Sequence, residues 1–410
     1  MVDSSTLYKM REFTDFAALN NTLRPGADMV AGLQSLAPQH PIYRSLESAL
    51  AKHLQIQANG GWPKISDTVQ IKQGVSSPEV PAVRKRLAQL GILPDYEASN
   101  TSPVCDATLA AAIKVFQKNH KLGDDGVLGK GGFRVLNIPI QTRINQIRAT
   151  MDKWRVLPRT LGDRYILVNI ARQELEVVEF GQRVMGMDTI NGKRLKPTPV
   201  MVDSMNSVVL NPYWNPPENN IREIVKTVKS NPRHLAEHNI KLYDKYDQVV
   251  DPSTINWNLY NNTVPPYRFR EEPGPMNSLG VVKFNLAINT QAIYLHDTNV
   301  NHDPSLRGLF EKSDRYLSSG CIRVKNPLAL LQYVLRDQPN YNAQRLDSIL
   351  SYPDQNAAQT VKLTKAIPVY VVYGTVSFTD QGVIQFTNDS VDYAQDERII
   401  SAMTPGETEQ

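Results

Sequence analysis

The chain has 410 residues, 41% of them hydrophobic and 21% charged, which excludes a disordered chain and allows two or three packed domains. Its 45 basic and 41 acidic residues leave a net charge of only +4, with no long Lys/Arg run, so nucleic-acid binding is not expected. Two cysteines and seven scattered histidines, none at zinc spacing, predict neither a metal site nor a disulfide framework.

Residues 1–66 read as a helical scaffold. Apolar residues recur at three- and four-residue steps around Asp28–Leu33 and Ile42–Ala51, and Gly60-Gly61-Trp62-Pro63 breaks the pattern. From 67 to 137 the spacing predicts a compact three-helix unit. Its first helix runs from Pro81 to Leu90 with Val83, Leu87 and Leu90 on one face, and Gly91 and Pro94 end it. The second starts at Asp106, a candidate N-cap, and carries Ile113, Val115, Phe116 and Gln117. A tight loop, Gly123 to Gly129, leads to a third short helix through Phe133 and Leu136.

This unit resembles the peptidoglycan-binding domain family, through Val83 and Leu87, through Ala111 to Gln117, and through Gly123 with Asp125-Gly126-Val127-Leu128-Gly129. Cys105 is expected to be a packing residue. A further helix from Thr142 to Trp154 is expected to complete the scaffold over 138–160, and Pro158 marks a boundary.

Beyond it the period changes to that of strands, at Tyr165–Ile170, Gln173–Phe180, Val184–Asn191, Met205–Leu210, Val281–Asn285, Ala292–His296 and Val369–Thr375. A helix is predicted over Pro327–Asp337. Residues 215–278 interrupt the strands with an amphipathic helix (Asn220–Ser230) followed by polar loop bearing Trp257, Tyr260 and Tyr267, and read as a lid insertion.

The chemistry centres on Cys321, in the polar turn Ser318-Ser319-Gly320-Cys321-Ile322-Arg323-Val324. A thiol becomes a nucleophile when an imidazole or a positive charge favours its thiolate. His296 ends an apolar strand, Tyr294-Leu295-His296-Asp297-Thr298, and is the candidate base. His302 fits better by spacing alone, 19 residues before the cysteine, but lies in a run of loop character. Cys321 as nucleophile requires that neither cysteine be bridged.

Residues 161–403 resemble the L,D-transpeptidases, cysteine enzymes that cross-link bacterial peptidoglycan, and the domain order is similar to their large Gram-negative members. The resemblance rests on Asn191-Gly192-Lys193, Thr198-Pro199-Val200, Asn211 to Pro217, Glu272 to Gly280, and the His296 and Cys321 motifs. Ser319 stands where the general family motif has His, Asp297 stands where Gly is common, and about six extra residues separate His296 from Cys321.

The resemblance implies a multidomain α+β protein, with helical scaffold, three-helix peptidoglycan-binding domain, mainly-β catalytic domain and residues 404–410 as a tail. It implies 3→3 (diaminopimelate–diaminopimelate) cross-linking through a Cys321 thioester, with D-Ala released from tetrapeptide stems that serve as donor and acceptor. It gives Gly320 and Cys321 as oxyanion donors, the Asp297 carbonyl as orienter of His296, and Ser319 as a helper. Arg323, Tyr294, Asn277 and Trp214 are the candidate substrate contacts, with a structural ion pair open for Arg323 and core burial open for the two aromatics. No cofactor is implied, and carbapenem-type β-lactams are the expected covalent inhibitors. The site of action would be the periplasm, peripheral to the wall, with any signal or anchor segment outside this sequence, although Met1 to Ser5 taken alone reads as cytoplasmic. Competing functions are an L,D-carboxypeptidase, attachment of a protein lysine to the wall, and a non-catalytic wall-binding protein.

Overall fold

The computed structural model describes residues 24, 28, 30–32, 37–261, 263–274, 276–288, 292–301, 306–351, 358–387 and 395–403. Most of the first expected helix, His302 and the tail lie outside them. The described residues form two compact units. Both cysteines are free thiols.

The first unit opens with α1 (Pro41–Ala58), a long helix that buries Tyr43 and Leu46. The three-helix region follows as α2 (Val80–Gln89), α3 (Ala107–Asn119) and α4 (Lys130–Leu136). Asp106 caps α3 by accepting the Leu109 amide at 2.8 Å. The Gln117 and Asp125-Gly126 signals have a physical cause. The Gln117 amide donates to Asp125 Oδ1 at 2.8 Å and to the Val127 carbonyl at 3.1 Å, while its oxygen accepts the Gly126 N–H at 2.8 Å. One buried side chain thereby holds the loop, and Gly126 supplies the positive φ of +78° that the turn needs.

Arg84, fully buried, donates to Glu97 and Asp106, both at 2.7 Å, and to the Val104 carbonyl at 3.1 Å. Cys105 is fully buried in the same core. Helix α5 (Ile140–Arg155) contributes Ile147, Met151 and Trp154 to the core that holds Tyr43 and Leu46. The antiparallel strands β1 (Arg164–Asn169) and β2 (Glu174–Glu179) add Tyr165, Leu167 and Val178.

The second unit is a sheet with an insertion. Its strands are β3 (Gln182–Gly192), β4 (Met201–Leu210), β8 (Val282–Leu286), β9 (Leu295–His296), β10 (Tyr316–Ser318), β11 (Ile322–Val324) and β12 (Gln359–Val372), in the order β10-β3-β11-β9-β8-β4-β12, with the first residues of β3 and β4 and the last of β12 counted in the first unit. Helix α7 (Pro327–Leu335) matches expectation, whereas α8 (Ala343–Ser351) carries no strong sequence signal. Strand β12 starts ten residues before the predicted one, because its first half alternates polar residues and reads as loop.

The insertion differs most from expectation. Helix α6 (Glu218–Ser230) buries Ile221, Ile224, Val225 and Val228 on one stripe. The stretch read as polar loop folds into a three-stranded antiparallel sheet of β5 (Ile240–Tyr243), β6 (Val249–Val250) and β7 (Arg268–Glu271). Leu242 and Phe269 join the α6 stripe in a core of its own, edged by Trp214, Trp257, Tyr260 and Tyr267. Strands this short hide in a sequence because two to four residues give no periodicity to read. The mixed α+β architecture expected from the sequence is the one observed.

Candidate active site

Three central strands align the candidate groups. β9 runs parallel to β11, with Arg323 opposite His296, and antiparallel to β8, with Lys283 opposite His296. Residues directly opposite share a face of the sheet, so Lys283, His296 and Arg323 form one row. The alternation agrees: Ile322, Val324, Val282, Phe284 and Leu295 are buried on the other face. Cys321 is the last residue before β11 and half-buried, and Ile322 anchors it by donating to the Tyr294 carbonyl at 2.9 Å.

The His296 ring is buried, and its Nδ1 bonds the Asp297 carbonyl. A carbonyl only accepts, so Nδ1 carries the proton and Nε2 is left with a free lone pair. Burial, then the positive charge of Arg323 and Lys283, hold the imidazole down to about pKa 3, so it is neutral at pH 7. The Cys321 thiol is pushed up by burial, against the downward pull of the Tyr294 amide, Lys283 and Arg323. The resting pair is therefore thiol and imidazole rather than thiolate and imidazolium. The thiol points at the Ala292 carbonyl, 3.8 Å away, and Ala292 holds a left-handed φ of +53° that costs an alanine energy.

The Asp297 carboxylate plays a separate, structural part. Its oxygens accept the Val281 N–H at 2.8 Å and the Asn301 amide at 2.7 Å. A Cβ on Gly280, which has φ +61°, would lie 2.2 Å from Asp297 Oδ2, so only glycine admits this carboxylate.

The turn before Cys321 is tied from within. Ser318 Oγ donates to the Cys321 carbonyl at 2.6 Å and accepts the Gly320 N–H at 3.2 Å. Gly320 was an expected oxyanion donor, and here its N–H is engaged by Ser318. The Cys321 N–H has no partner among the described residues. Thr198 Oγ1 donates to the Gly320 carbonyl at 2.7 Å and accepts the Gly192 N–H at 2.9 Å, locking the turn to the end of β3. Ser319 is exposed.

The other expected contacts divide. Tyr294 is half-buried on the row's face, with Lys283 Nζ 3.6 Å from its ring centre. Asn277 is buried, and its amide is spent on the Glu271 and Glu272 carbonyls (3.3 and 2.9 Å) and the Leu279 N–H (2.8 Å), which makes it a loop brace rather than a cleft residue. Trp214 packs on the insertion core and pairs its backbone with Glu271, as core burial would have it. The ion pair held open for Arg323 is absent among the described residues: it meets no carboxylate, and its buried Nε has no partner. Lys283, Thr198 and Ser318 were missed as site residues. Thr198 lay in a quoted motif, whereas nothing in the sequence aligns Lys283 with His296 without the strand register. No group of three or more His, Cys, Asp or Glu able to hold a metal occurs among the described residues.

Comparison with known proteins now adds to this geometry. Residues 163–366 match the family model described as "L,D-transpeptidase catalytic domain", and residues 76–136 match "Putative peptidoglycan binding domain". The chain carries an L,D-transpeptidase catalytic domain.

A curated protein of Haemophilus influenzae named "Putative L,D-transpeptidase" is 33% identical over 220 residues, covering 53% of this chain and 42% of that protein. The chain thus spans less than half the length of the curated relative it matches. Solved structures similar to the transpeptidase domain include the Ldtfm-avibactam carbamoyl enzyme (12% identity, 53% and 51% of the two chains, TM-score 0.24). Others are LdtMt1 in complex with imipenem (12%, 51% and 59%, 0.23) and the L,D-transpeptidase of Xylanimonas cellulosilytica (14%, 75% and 98%, 0.21). At such scores the geometry of those proteins says nothing about this site.

Proposed function

We propose that this protein forms 3→3 cross-links in peptidoglycan through a thioester on Cys321. The observation that supports this reading most is the row on the central strands, which fixes His296 by its Nδ1 beside the Cys321 turn and leaves Nε2 as acceptor. His296 Nε2 takes the thiol proton, and the sulfur attacks the diaminopimelate carbonyl of a tetrapeptide stem. The Cys321 N–H stabilises the oxyanion. The C–N bond then breaks, His296 returns the proton to the leaving amine, and D-Ala departs from the thioester. A diaminopimelate amine of a second stem attacks that thioester through the same base, and the thiol is restored.

In this reading residues 67–137 hold the wall, residues 1–66 with 138–160 are their scaffold, residues 161–403 are catalytic, and the 215–278 insertion covers the donor. The protein works in the periplasm, and carbapenem-type β-lactams acylate Cys321. No described helix is long and apolar enough to cross a membrane.

Mass spectrometry of disaccharide-tetrapeptide incubated with the protein and with Cys321→Ala tests the reading. A dimer lighter by one D-Ala, formed only with Cys321 in place, is expected. Tripeptide alone would make the acceptor water and the enzyme a carboxypeptidase. Unchanged tetrapeptide in both samples would refute the reading.

A further inference from the structure

Among the described residues, Lys283 and Arg323 are two cations near Cys321 that meet no carboxylate. The buried Arg323 Nε has no partner of any kind among them. Cations close by are treated differently. Arg315 meets Asp188 at 2.8 Å, and Lys325 meets Asp188 at 3.3 Å and Glu311 at 3.0 Å. A half-buried positive charge is costly unless paired, so two left open in register, one on each side of His296, call for an anion supplied from outside.

The spacing suits one carboxylate. Adjacent strands lie about 4.8 Å apart, which puts the two Cα atoms about 10 Å apart, a gap that Lys and Arg side chains close around a single anion. Cys321 stands two residues before Arg323, so the row and the sulfur lie on the same side of the sheet. Lys283 Nζ is steered by the Tyr294 ring rather than by an acid.

We propose that Lys283 and Arg323 form a carboxylate subsite that straddles His296 and receives the terminal carboxylate of the residue expelled from the donor stem. The subsite rests on the reading that Cys321 opens a stem peptide. It would make the transpeptidase selective for stems whose leaving residue ends in a free carboxylate.

Two measurements on the full chain test this. The first compares alkylation of Cys321 by iodoacetate and by iodoacetamide, in which sulfur displaces iodide from an anionic or a neutral reagent. Any change in thiolate content affects both rates alike, so their ratio isolates attraction to a carboxylate. The ratio should fall about tenfold in Lys283→Met and recover in Lys283→Arg, with the iodoacetamide rate reporting an intact turn. A ratio equal in all three proteins would overturn the subsite. The second measurement compares donor tetrapeptides with a free or amidated terminal carboxylate. The unmutated enzyme should prefer the free acid by about tenfold in kcat/KM, and Lys283→Met should lose that preference. Equal slowing of both donors by Lys283→Met would also overturn it. A lysine-dependent alkylation ratio without turnover of either donor would instead defeat the transpeptidase reading and leave an anion pocket at Cys321.

Discussion

A fully buried arginine and a half-buried one show how this protein uses charge. Arg84, in the peptidoglycan-binding region, has both its terminal nitrogens on carboxylates or carbonyls at 2.7–3.1 Å, all from neighbouring segments of that region, while its Nε, like that of Arg323, has no partner among the described residues. Arg323, in the transpeptidase domain, meets no carboxylate among the described residues and sits instead beside a thiol and an imidazole. The first charge is consumed in joining α2 to the start of α3. The second is left without an acid among the described residues, at a cost in solvation, and in the proposed subsite the donor's carboxylate would pair with it. Pairing thus separates a cation that builds from one that works. The same test splits the acidic side, where the Asp297 carboxylate is spent on Val281 and Asn301 and only its carbonyl serves His296.

The comparison breaks most visibly at Arg84. Arg84→Met strands Glu97 in the core and should cost about 3 kcal/mol of stability, read as a drop in the denaturant midpoint. Arg323→Met should leave that midpoint unchanged or raised while lowering turnover. Equal destabilisation by the two would erase the distinction. Gly280→Ala comes next: the added methyl displaces Asp297, shifts the carbonyl that holds His296, and should lower kcat on the order of 100-fold. Circular dichroism should show the sheet retained.

The third effect concerns acid. His296 is neutral in the fold down to about pH 3, whereas the unfolded chain takes up a proton near 6.5. Its contribution to stability is therefore complete above about pH 6.5 and is lost as the pH falls towards 3. His40 (about 4) and His120 (about 3), depressed by burial, add the same sign in the first unit. Replacing His296 with Gln should flatten the acid limb of a stability curve without removing it. The smallest effect is expected from Asn277→Ala, about 1 kcal/mol from lost hydrogen bonds with KM unchanged; a raised KM would return Asn277 to the cleft.

Much of this was legible in the sequence. Helical periods marked α2, α3 and α5, and the turn and strand around Cys321 and His296 were readable because an apolar strand ends at His296 and a Ser-Ser-Gly turn precedes Cys321. The insertion's sheet was not, since β5, β6 and β7 are too short to show alternation. Asn277 and Trp214 looked like cleft residues because polar loops and aromatics beside a motif look alike whether they face substrate or backbone. Lys283 was invisible for a deeper reason. Its meaning comes from sitting opposite His296, and register is a property of two strands, not of one.

That register also bears on residue counting, by which His302 fits better than His296. His296 and Arg323 are neighbours on parallel strands, and parallel neighbours must be joined by a crossover outside the ladder. The crossover can lengthen without moving either partner. In practical terms, the number of residues between His296 and Cys321 is no measure of how far apart the two side chains lie. Relatives of this chain are correspondingly better sought by strand pairing than by a fixed interval between histidine and cysteine.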